Sequence, residues 1–250
     1  MFSVLGALSP LDGRYYNSAK ELNTYFSEAA LMQYRIYVEV EYLLALSKQK
    51  EIRKRLRIND KEQSELRKLY QSFDLNAAKE IKEIETKINH DVKAIEYYIQ
   101  NKTRRSLHPW IHFALTSEDV NNISYSLMWK HALDKIYLPC ASSLQSKLLN
   151  LIREHRKSPM LSLTHGQPAT PTTFGKEIRV FYNRIERQIV KLKKGALLAK
   201  MSGATGTWSA HNIAFASVDW FKFTSKFVMS LGLKPNLVTT QIEPHDSIAE

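Results

Sequence analysis

Between Ser27 and Leu46 the apolar residues Leu31, Tyr34, Tyr37, Val38, Tyr42 and Ala45 recur at steps of three or four, the spacing of a helix face. Shorter patterns of the same kind predict helices over Asn59 to Tyr70, Ala77 to Ile88 and Asp91 to Gln100. The strongest pattern runs from about Asp119 to Arg156, where Met128, Ala132, Ile136, Cys140, Leu144, Leu148 and Ile152 are spaced by four. A step of four overshoots one turn, so this stripe winds around the helix. Leu127, Leu133, Tyr137, Ala141, Leu149 and Leu151 widen it further. Such a helix, ~55 Å long at about 1.5 Å per residue, needs several neighbours. Pro139 has no N–H to donate and should kink it. Another long helix is expected from Thr172 to about Lys200, with Phe174, Ile178, Phe181, Ile185, Ile189 and Leu192 inward, and a shorter one from about Val218 to Leu231. No run sustains an alternation of period two. The expected fold class is therefore all-α, with an N-terminal helical domain at 1–115 and an incomplete long-helix bundle at 116–250.

Composition narrows the class. With 250 residues, 44% hydrophobic and 24% charged, the chain can bury a substantial core and reads as a soluble globular protein. Cys140 is the one cysteine, which excludes an intrachain disulfide and a multi-cysteine zinc site and suits a reducing cytoplasm. The opening Met1 to Leu8 lacks a basic leader, so no secretory signal is expected. No apolar run reaches the length of a membrane span, so no membrane partner is expected either. The net charge of +11 could serve nucleic acid, anionic lipid or an anionic small substrate. Lys and Arg are scattered along helical faces, with no zinc-finger spacing and no aromatic RNA-binding signature. A solvated basic surface is the simpler reading, and no nucleic-acid partner is expected. The last ten residues, Gln241 to Glu250, look like the opening of a helix, with Pro244 in the first turn and acids near the positive dipole end. No C-cap follows. On that pattern the sequence is expected to be the front part of a longer protein.

Several segments carry possible chemistry. Ser162 to Pro171 places His165 beside Gly166, between hydroxyls and prolines, in a break between helical stretches. Such a histidine can point into a cleft, and it titrates near neutral pH; it could equally sit in a capped connection. Thr116-Ser117-Glu118-Asp119 opens the longest helix and fits a capping box in its Asp form. Its hydroxyls and free N–H groups also make an anion site. In Asn89-His90-Asp91, Asn89 serves as an N-cap and Asp91 favours the helix dipole, which leaves His90 as the odd member. Arg14 and Tyr15 follow a turn as a basic–aromatic pair, either a surface Arg on a packed Tyr or a phosphate clamp.

Taken in order, these segments resemble a known family. Ser162 to Pro171 resembles the second signature segment of the fumarase/aspartase superfamily, and Thr116 to Asn122 resembles the first. Asn89 to Tyr98, Ser9 to Tyr15 and Gln241 to Asp246 look like further segments of the adenylosuccinate lyase branch, especially its bacterial form. The resemblance implies an all-α enzyme that eliminates fumarate from adenylosuccinate to give AMP, and from the succinylated aminoimidazole carboxamide ribotide, without metal or organic cofactor. It implies His165 as general acid on the leaving nitrogen. Thr116 and Ser117 would bind the succinyl end with Gln241 assisting, Asn89, His90 and Asp91 the nucleotide, and Arg14 with Tyr15 its phosphate. It further implies a homotetramer whose sites draw on three subunits. The family's general base, a serine on a loop reading roughly S-S-x-M-P-x-K-x-N-P, has no counterpart in these 250 residues, so the chain alone is expected to have no lyase activity. Argininosuccinate lyase is the nearest rival, opposed by Asn89-His90-Asp91 and Gly166-Gln167. A non-catalytic oligomerisation module is the rival from another class.

Overall fold

The computed structural model describes residues 7–250; the opening Met1–Gly6, read above as no secretory leader, lies outside them. α1 (Tyr16–Ala19) and α2 (Asn23–Phe26) are single turns that lead into α3 (Glu28–Lys48), whose N-cap Ser27 accepts from the Ala30 N–H. α4 (Asp60–Gln71) opens on a complete capping box between Asn59 and Glu62, and α5 (Leu75–Ile88) on the N-cap Asp74. α6 (Asp91–Asn101) follows, then a 3-10 turn at Arg105–Trp110 and α7 (Ser117–Ala132). α8 (Leu138–Glu154), strands β1 (Pro159–Thr164) and β2 (Gln167–Thr173), and α9 (Phe174–Lys194) come next. β3 (Leu198–Ala199), α10 (Ser209–Ala214), α11 (Trp220–Ser230), β4 (Lys234–Pro235) and α12 (Asp246–Ala249) complete the order.

The chain forms two compact units, one from the residues up to Lys130 with Ala196–Glu250, the other from His131–Gly195. The expected 115/116 boundary falls inside the first. There the core gathers around α3, whose Ile36, Val40, Leu43 and Leu44 join a cluster with Ile81, Ile95, Ile99, Val120, Ile123, Leu127, Trp220 and Phe227. Of the face expected on α3, Val38 and Tyr42 are buried, while Leu31, Tyr34, Tyr37 and Ala45 are only partly so. A helix enclosed on most sides has no single apolar stripe. Tyr34 and Tyr37 settle at the rim, where Tyr37 meets Tyr70 edge-on at 4.8 Å, while Tyr42 lies in the core.

In the second unit α8 packs along α9. Gly175 permits the close approach, since a Cβ there would lie 2.8 Å from the Ile152 carbonyl oxygen. Within α8 and α9 only Ile152, Gly175 and Ile189 are buried; Phe174, Phe181 and Leu192, expected inward, are exposed. Each helix has one helical neighbour in this unit, so one apolar face of each stays uncovered. Cys140 and Leu144, in the four-step stripe, are exposed for the same reason. Near Pro139, where a kink is expected, a π turn at Leu133–Tyr137 leads into α8, and Pro139 sits in the first turn of that helix. Among the described residues no helix is long and apolar enough to cross a membrane.

Two short strand pairs depart from the helical expectation: β3 and β4 pair parallel, Leu198 opposite Lys234, and the longer pair is a hairpin. β1 and β2 pair antiparallel, Thr164 opposite Gln167, with an irregularity between Leu161 and Leu163. The prolines at 168 and 171 cannot donate to a ladder and interrupt the alternation, so the hairpin hides from a period-two search.

Candidate active site

α7 begins with a buried clamp. Asp119 is fully buried, and its Oδ1 accepts from Lys200 Nζ at 3.0 Å and from the Ser202 N–H at 3.0 Å. Its Oδ2 accepts from the Gly203 N–H at 3.1 Å and the Thr116 N–H at 2.9 Å. Lys200, equally buried, also donates to the Gly203 carbonyl at 2.9 Å. Four donors on one carboxylate offset the cost of burying its charge. Asn122 repeats the tie: its Oδ1 accepts from the Lys200 N–H at 2.8 Å, and its Nδ2 donates to the Lys200 carbonyl at 3.0 Å. Within Thr116 to Asn122, Asp119 and Asn122 therefore hold the 200–203 loop against α7. Thr116 and Ser117 are left half-buried at the helix opening. Gln241, exposed, brings its Nε2 to 3.5 Å from Thr116 Oγ1, across 125 positions of sequence. Thr116, Ser117 and Gln241 thus come together.

The same turn carries a pair that sequence reasoning missed. His245, at φ +62°, sets Nε2 at 3.3 Å from Glu118 Oε1 and Nδ1 at 3.4 Å from Glu243 Oε2. Burial raises the Glu118 pKa, opposed by the nearby His245.

At the opening of α6 the structure corrects one expectation. Asn89 is not the N-cap of α6 but the left-handed C-cap of α5, at φ +54°, its N–H bonded to the Glu85 carbonyl. Asparagine tolerates that conformation, which explains why it closes the preceding helix. His90 is the N-cap: its Nδ1 accepts from the Lys93 N–H at 3.1 Å. A ring that accepts at Nδ1 carries its proton on Nε2, so the half-exposed imidazole presents a donor outward. Asp91, also half exposed, bonds through Oδ2 to Arg35 Nη2 at 2.6 Å. Burial works against its ionisation, but the Arg35 guanidinium and the Val92 N–H, with His90 nearby, together hold the Asp91 pKa below the usual carboxylate value. Arg14 lies over the Tyr15 ring at 5.1 Å, both residues exposed.

His165 lies in the second unit, and the other candidates lie in the first. It forms the two-residue turn of the β1–β2 hairpin with Gly166, at φ +54° and +74°. Positive φ at both central residues is what a tight hairpin of this hand requires. Histidine is one of the few side chains found there in some number, and glycine adopts it freely. The turn leaves the imidazole exposed at the tip.

Two further histidines flank the first site segment unannounced by any motif. His112, at φ +59°, donates from Nδ1 to Glu39 Oε1 at 2.5 Å, and its backbone N–H donates to Glu39 Oε2 at 3.0 Å. Burial alone would lower its pKa, but Glu39, with Glu96 at 3.9 Å, raises it above the usual imidazole value. His211 is fully buried, Nε2 3.1 Å from the Tyr42 hydroxyl, and burial lowers its pKa to about 4. Among the described residues no group of three or more His, Cys, Asp or Glu is placed to hold a metal ion.

A largely helical chain with a clamped helix opening and an exposed hairpin histidine matches a known family. The family model described as Lyase matches residues 13–250, and the chain belongs to this lyase family. It is 45% identical to the adenylosuccinate lyase of Buchnera aphidicola subsp. Schizaphis graminum, over 98% of this chain and 55% of that protein. Proteins of the same name from Legionella pneumophila and Escherichia coli K12 are each 44% identical, over 99% of this chain and 56% of theirs. The chain thus spans about half the length of the curated relatives it matches. Among solved structures, a fumarate lyase from Mesorhizobium sp. BNC1 aligns with a TM-score of 0.71 at 18% identity, over 88% of this chain and 49% of that one. A β-carboxy-cis,cis-muconate cycloisomerase from Acinetobacter calcoaceticus gives 0.67 at 18% identity, over 88% of this chain and 50% of the other. At that identity the likeness concerns the fold.

Proposed function

We propose that this chain contributes to a carbon–nitrogen lyase that eliminates fumarate from adenylosuccinate to give AMP, and from the succinylated aminoimidazole carboxamide ribotide. The observation that carries the reading is the meeting of the Gln241 amide with the Thr116 hydroxyl at the clamped opening of α7. The identities to proteins named adenylosuccinate lyase, over nearly the whole chain, support the choice of substrate.

In this reading the difficult species is the carbanion formed beside a succinyl carboxylate. Hydroxyls and an amide at a helix opening, held in place before substrate arrives, stabilise that charge. Thr116 and Ser117 take this role, with Gln241 assisting. His165, exposed at the tip of the β1–β2 hairpin, protonates the departing nitrogen. Asn89, His90 and Asp91 hold the nucleotide, and Arg14 with Tyr15 its phosphate. The working form is a homotetramer in the cytoplasm. The uncovered apolar faces of α8 and α9, with Leu144, Leu151, Phe181 and Val190 exposed, support assembly through these helices.

Fumarate release by the protein as its gene encodes it tests the reading, with adenylosuccinate and argininosuccinate offered side by side. Release from adenylosuccinate alone is expected. Release from argininosuccinate alone, or from neither by a protein of its relatives' full length, contradicts it.

A further inference from the structure

α3 carries a charge that its core position does not call for. Arg35 is 5% exposed, beside Ile36 at 0%, and a buried guanidinium is costly unless its donors are matched. Among the described residues it has two hydrogen-bond partners, on two other elements. Nη2 donates to Asp91 Oδ2 at 2.6 Å, at the first residue of α6, and Nε donates to Asn121 Oδ1 at 2.9 Å, in the opening turns of α7. Among the described residues no hydrogen bond joins Asp91 to Asn121 directly.

This geometry fixes orientation as well as distance. A guanidinium has donors only, so Asn121 must offer its oxygen and turn its NH2 the other way. Asp91 commits Oδ2 and leaves Oδ1 to the half-exposed side. The planar fork also sets the angle between the two bonds, which a flexible ammonium would not. We infer that Arg35 is a positioning residue: from behind the site, it holds the openings of α6 and α7 in fixed register, so that the 89–91 and 116–117 segments act as one substrate-facing surface. The inference rests on the reading of those segments as substrate-binding.

AMP binding by the full protein, measured by calorimetry, tests it, using Arg35→Met, Arg35→Lys and a double-mutant cycle of Asp91→Ala with Asn121→Ala. Arg35→Met, folded by circular dichroism, is expected to weaken AMP binding by about tenfold or more, the scale of a lost charge-assisted bond. Arg35→Lys, which keeps the charge but reaches one partner, falls between it and the parent. In the parent the two alanine substitutions are expected to couple by about fivefold, and in the Arg35→Met background their effects become additive. If Arg35→Met does not fold, Arg35→Lys must itself show weakened binding and reduced coupling. AMP binding within about twofold of the parent in the folded variant, or coupling that survives without Arg35, overturns the inference. A parent protein that binds neither AMP nor adenylosuccinate refutes the functional reading itself, a result distinct from binding that ignores Arg35.

Discussion

His112 and His211 lie in the same unit and respond to acid in opposite directions. The folded pKa of His112 is raised by Glu39 and Glu96 against burial. Its contribution to stability is fully present below the unfolded imidazole value of about 6.5 and is lost as pH rises through the higher folded value. His211, lowered by burial to about 4, contributes stability that is present above about 6.5 and is lost as pH falls toward the folded value. The second effect is at most about 3 kcal/mol, the equivalent of the pKa difference. Urea midpoints measured across pH separate the two. Glu39→Gln is expected to remove the decline on the alkaline side, and His211→Phe the decline on the acid side. An unchanged pH dependence in either variant contradicts the assignment of that histidine.

Among the elements, the opening of α7 shows what a motif conceals. The sequence run Thr116 to Asn122 reads as a capping box, and the cap is real: the Asp119 carboxylate accepts from the Thr116 N–H. Nothing in the run announces that the same carboxylate reaches Lys200, Ser202 and Gly203, since those contacts cross some eighty positions. Asp119→Ala is expected to destabilise the fold by about 3–5 kcal/mol, because it leaves the Lys200 ammonium buried without its partner. Urea unfolding checks this, and a loss below about 1 kcal/mol contradicts the clamp. Periodicity located most of the helices to within a few residues, because spacing is a local property, but it ran the helix from Thr172 on to about Lys200, where α9 ends at Lys194 and Leu198–Ala199 form a strand. It overstated how deeply the expected faces of α3 and α9 are buried, because burial depends on how many neighbours a helix finds. Asn89 was placed one helix too late for a similar reason: a residue that caps well at either end is assigned only by its φ. The hairpin around His165 escaped because prolines break the alternation that marks a strand.

For the molecule as a whole, the sequence showed the candidate segments but not their arrangement. Gln241 and Thr116 meet only once the chain folds back, and His165 belongs to a different compact unit. The proposal of a tetramer supplies what a single chain leaves open, since apolar faces on α8 and α9 await cover and the resemblance implies sites shared among subunits. The basic balance of +11 suits an anionic nucleotide and requires no nucleic-acid partner. His165→Asn in the protein as encoded is the informative variant, because asparagine keeps the positive-φ turn while removing the titrating ring. Fumarate release from adenylosuccinate is expected to fall by about 10²–10⁴ while AMP binding holds. Turnover close to that of the unmutated protein would contradict the role given to His165.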